Sequence, residues 1–78
     1  MGHVIMESEK PEVERIAKVA IAQKCEADID FDMFLDIAAI NRDLDEFMRL
    51  VFAETGIAVD RSSAGALMFE RWVLLSEL

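Results

Sequence analysis

Between Asp30 and Gly56 the chain reads DFDMFLDIAAINRDLDEFMRLVFAETG, and large apolar residues recur through it at Met33, Ile37, Ile40, Leu44, Phe47 and Val51. Their intervals are four, three, four, three and four residues, which sets them on one helical stripe. A strand would alternate by two. The spacing therefore predicts helix across this stretch, with that stripe as the core. Within it, Asn41 to Asp43 offers a stop, because Asp43 followed by Glu46 has the spacing of a capping box. We read two helices, about Phe31–Ile40 and Leu44–Thr55, with one helix of about 25 residues as the alternative. Gly56 ends the second, since glycine takes the left-handed conformation without a side-chain penalty.

The flanking segments obey the same rules. Pro11 suits the first turn of a helix, and Glu12 and Glu14 near its start with Lys24 near its end oppose the helix dipole. Val13, Ile16, Ala17, Ala20 and Ile21 form its expected buried stripe, with Glu14 and Lys18 as an exposed pair. Asp28 or Asp30 caps the next helix, and Asp60 to Ser63 caps a last one that reaches almost to Leu78. In that last helix Ala64, Leu67, Met68, Trp72 and Leu75 make the stripe, while Phe69, Val73 and Leu74 fall largely outside it. The expected fold is all-α: a compact bundle of three to four short helices, one domain over residues 9–78 behind a flexible tail over residues 1–8.

A chain of 78 residues buries only about 60% of its unfolded surface, yet 54% of these residues are hydrophobic. That surplus predicts an interface, and the broadly apolar last helix is its expected place: a homodimer through Leu67, Phe69, Trp72 and Val73. The charge points to another kind of partner. Sixteen acidic residues against eight basic give −8, which disfavours direct contact with nucleic acid or an anionic membrane. From Glu26 to Glu46 eight carboxylates face the single cation Arg42, a local balance of −7. Asp28, Asp30, Asp32, Asp36, Asp43, Asp45 and Glu46 are the expected partner-binding acidic face, directed at a protein with a basic surface.

Sites for chemistry are sparse. Cys25 stands alone, cannot form an internal disulfide, and reads as a small buried hydrophobe in a reducing, cytoplasmic setting. Asp28, Asp30 and Asp32 resemble the opening of an EF-hand loop, but Met33 and Ala39 stand where its glycine and bidentate glutamate belong. Ala53 to Leu67 resembles the turn and second helix of a helix-turn-helix segment, which implies DNA contacts from Arg61, Ser62 and Ser63. There the alanine precedes the turn glycine by three positions, against four in that motif. No metal, cofactor or catalytic set is expected. The sequence reads as a non-enzymatic interaction module, a regulator or inhibitor acting through helix faces. The alternatives are an inhibitor of the phage or mobile-element kind, whose acidic face imitates nucleic acid, and a degenerate helix-turn-helix protein.

Overall fold

Three corners divide residues 10–78, the part of the chain described by the computed structural model, into four helices. They are α1 (Lys10–Ala27), α2 (Ile29–Ile40), α3 (Leu44–Thr55) and α4 (Arg61–Ser76). The expected tail over residues 1–8 lies outside the described residues. An aspartate opens each of the last three helices. Asp28 accepts the backbone N–H groups of Asp30 and Phe31, Asp43 that of Glu46, and Asp60 that of Ser63. Each carboxylate satisfies a donor that the first helical turn leaves unpaired. Asp43 caps as the sequence predicts, while the Glu46 carboxylate turns to Arg49 instead of closing the box.

The corners at Arg42 and Gly56 are built differently. Gly56 sits at φ 75°, and its N–H returns to the Phe52 carbonyl. Arg42 sits at φ 53° although it carries a side chain. Its N–H bonds to the Ala39 carbonyl and the Asp43 N–H to the Ala38 carbonyl, the paired closure of a Schellman motif. Glycine usually fills that left-handed position, where another residue costs about 1–2 kcal/mol.

Each helix touches the other three, and the shared interior holds Ala17, Ile21, Phe31, Leu35, Ala38, Phe47, Leu50, Val51, Val59, Ala64 and Leu67. The alanines let backbones approach, while Phe47, Leu35 and Val51 fill the centre. This corrects the expected stripe. Phe47 and Val51 are buried, but Met33, Ile37 and Ile40 face outward, and α2 packs through Phe31, Leu35, Ala38 and Ala39. The reason is the left-handed residue at the corner, which ends the helical phase of α2 before α3 begins. With apolar residues on both sides of α2, spacing alone could not choose the inward one. On α1, likewise, Ala17 and Ile21 are buried while Ile16 is exposed.

The two faces of α2 should respond differently to truncation. Leu35→Ala is expected to cost about 2–5 kcal/mol in urea unfolding, and Ile37→Ala less than about 1 kcal/mol. Equal losses would place the core on the wrong side of α2.

Candidate interaction surface

Among the described residues Arg71 is the basic side chain drawn furthest into the bundle, with 21% of it exposed. From α4 its Nη1 donates to Asp32 Oδ1 at 2.8 Å and Asp36 Oδ1 at 2.6 Å, both on α2, and its Nη2 reaches Cys25 Sγ of α1 at 3.4 Å. Asp32 and Asp36 lie four residues apart, so one guanidinium spans both. Burial works to lower the Arg71 pKa, but the hydrogen bonds it donates to Asp32 and Asp36 outweigh it and hold the pKa above its usual value. The same bond holds Asp32 below the ordinary carboxylate value. Burial raises the Cys25 thiol against the opposing pull of Arg71, so the group is neutral at pH 7 and a poor nucleophile.

Most of the acidic face expected from sequence is engaged within the chain. Asp28 caps α2 and meets Lys24 at 3.5 Å, and its pKa is lowered first by the Phe31 N–H. Asp43 caps α3, Asp45 pairs with Arg61 at 2.6 Å, and Glu46 pairs with Arg49. Lys18 meets Glu70 of α4 at 2.8 Å, where the sequence had suggested Glu14. Asp30 is exposed, and among the described residues no ion pair holds its side chain. The helix-turn-helix residues are occupied too: Arg61 binds Asp45, Ser63 is buried, and five residues separate α3 from α4. Asp28, Asp30 and Asp32 all fall at the cap or inside α2, and no group of three metal-ligating side chains gathers among the described residues. No helix there is long and apolar enough to cross a membrane.

Besides a hollow of about 440 Å³ between α1 and α4, lined in part by Ile21, Ala22, Leu67, Leu74, Leu75 and Leu78, two apolar surfaces stand out among the described residues. The first is a cleft of about 460 Å³ between the end of α2 and the outer side of α4, lined by Ala39, Arg42, Gly65, Met68, Phe69 and Trp72. Gly65, Met68, Phe69 and Trp72 are spaced as one helical stripe. Phe69, 64% exposed, stacks on Trp72 with centroids 6.1 Å apart, and the Arg42 guanidinium lies 5.4 Å from the Trp72 ring centre. A cation held over an indole face is attracted by its quadrupole, an interaction worth about 0.5–1 kcal/mol at exposed sites. A Cβ built on Gly65 meets nothing within 4 Å. The missing side chain leaves room in the cleft. The second surface is the outer face of α2, where Ile29, Met33, Phe34, Ile37 and Ile40 are exposed.

Of the self-association residues expected on α4, Phe69 and Trp72 line the cleft, Leu67 belongs to the core, and Val73 is half-buried. Sequence reasoning missed Arg42, Ala39 and Gly65. Gly65 carried the available signal, for a lone glycine within a helical pattern costs about 1 kcal/mol relative to alanine and usually answers to packing or binding.

The Arg71 bridge has a pH signature. Because Asp32 titrates lower in the folded chain than its ordinary 3.8, its contribution is present above that value and disappears as pH falls through the folded value. Denaturant unfolding from pH 5 to pH 2 should show this loss in the native chain and a flatter profile in Arg71→Leu, itself destabilised by about 1–2 kcal/mol at pH 7. Parallel profiles would separate Asp32 from the bridge. Protein-family models, curated proteins and solved structures were compared with the chain, and none matches.

Proposed function

We propose that this chain is a non-catalytic protein–protein interaction module, a small regulator or inhibitor whose recognition element is the cleft between α2 and α4. The observation that carries the reading is the pairing of an empty position at Gly65 with aromatic walls at Phe69 and Trp72. A cleft with a small-residue floor and aromatic sides takes a large apolar side chain from a partner, and buried anchors of that kind supply most of the energy of an interface. Arg42 supports the same reading, because a side chain held at φ 53° where glycine would be relaxed is strain of the sort that collects at functional positions.

The charge of −8 adds direction to the encounter, steering toward partners with a basic surround around the anchor. Imitation of nucleic acid draws less support, since the carboxylates that would stand for phosphates are largely spent on caps and on Arg71, Arg61 and Arg49. Their replacement by amides would keep the caps, since asparagine serves there as well, but would weaken the pairs with Arg71, Arg61 and Arg49 together with any binding.

Gly65 gives the test. Gly65→Ala should raise the melting temperature by a few degrees, because alanine is favoured in a helix by about 1 kcal/mol and meets no obstacle. Gly65→Leu should keep helical content and fill the cleft. Proteins retained from the source lysate by the immobilised native chain should then be lost at least tenfold from Gly65→Leu. Undiminished retention by a folded Gly65→Leu would place the partner elsewhere.

A further inference from the structure

The outer face of α2 carries a pattern of its own. Ile29, Met33, Ile37 and Ile40 are spaced by four, four and three residues, and on a helical projection they fall within about 80° of one another. Ile29 is 80% exposed and Ile40 59%. Two carboxylates border the stripe, Asp30 on one side and Asp36 on the other, and Asp36, with Asp32 beyond it, is held toward α4 by Arg71. The spacing is nearly the same read in either direction, which is the condition for a surface to pair with itself across a two-fold axis.

We infer that α2 packs antiparallel against α2 of a second copy, about a two-fold axis that crosses the outer face between Met33 and Ile37. In that arrangement Ile29 lies beside the second copy's Ile40, and Met33 beside its Ile37. The charges agree with the direction. Asp30 stands at the beginning of α2 and Arg42 just beyond its end, so antiparallel pairing brings each Arg42 toward the acidic end of the other helix, whereas parallel pairing sets like charges together. Ile29, Met33, Ile37 and Ile40 leave on the order of 400 Å² uncovered, about half of the roughly 800 Å² per partner of a standard interface. The inference shares Arg42 with the α2–α4 cleft, and it moves self-association from α4, where the sequence had suggested it, to α2.

Sedimentation equilibrium of the full chain should show a monomer–dimer equilibrium, and Ile37→Glu should weaken it at least 100-fold with an unchanged far-ultraviolet circular dichroism spectrum. Cross-linking fixes the direction and remains decisive if that variant fails to fold. In a Cys25→Ser background, Ile29→Cys and Ile40→Cys chains joined by a short bis-maleimide should cross-link when mixed. Neither should cross-link alone, because each position lies roughly 16–17 Å along the axis from its own counterpart. A native chain that stays monomeric to millimolar concentration, a dimer indifferent to Ile37→Glu, or equal cross-linking of Ile29→Cys with itself would each overturn the inference.

Discussion

One guanidinium ties three of the four helices together. Arg71 leaves α4, enters the bundle, and is met by two carboxylates of α2 and the Cys25 sulfur of α1. An arginine this far from water is stable only where its donors are filled, and a planar fork with several N–H groups can fill them at two neighbouring carboxylates at once. The bridge also fixes the rotation of α2 about its axis. If Asp32 and Asp36 turn toward α4, then Phe31, Leu35, Ala38 and Ala39 turn inward, and Ile29, Met33, Ile37 and Ile40 turn out. A helix apolar on two sides has no strong hydrophobic preference between them, and the bridge favours the same rotation as the close packing of Ala38 and Ala39 and the corner at Arg42. That rotation leaves the outward isoleucines as surface.

The same economy runs through the other basic residues whose side chains are described. Arg15 meets Glu12, Lys18 meets Glu70, Lys24 meets Asp28 and Glu54, Arg49 meets Glu46, Arg61 meets Asp45, and Arg42 lies over Trp72. Most of these pairs are exposed and contribute little stability singly. Their collective effect is on recognition, since each holds its cation close to the chain's own acids or rings.

Helix boundaries were the most legible part of the sequence, because they depend on local chemistry. Asp28, Asp43 and Asp60 each cap a helix start, and Gly56 takes the left-handed position where a chain of glycine-free residues would be strained. The inward face of α2 was not legible, because Met33, Ile37 and Ile40 obey the helical period as well as Leu35 and Ala38 do. Choosing between them needed Arg71, 35 residues from Asp36 in sequence, and a spacing rule within one helix carries no information across that distance. The cleft was half legible. Phe69 stood out as an aromatic residue off the α4 stripe and Trp72 as a member of it, but Arg42 reaches Trp72 only because of a left-handed corner that its residue type does not announce.

The outward face of α2 also bears on how the molecules behave toward one another in bulk. With a sequence pI of about 4.4, the net charge disappears in mildly acidic solution, not far above the range in which the Asp32 carboxylate begins to take up its proton. Long-range repulsion between chains is weakest there, and charge no longer keeps the exposed isoleucines of neighbouring chains apart.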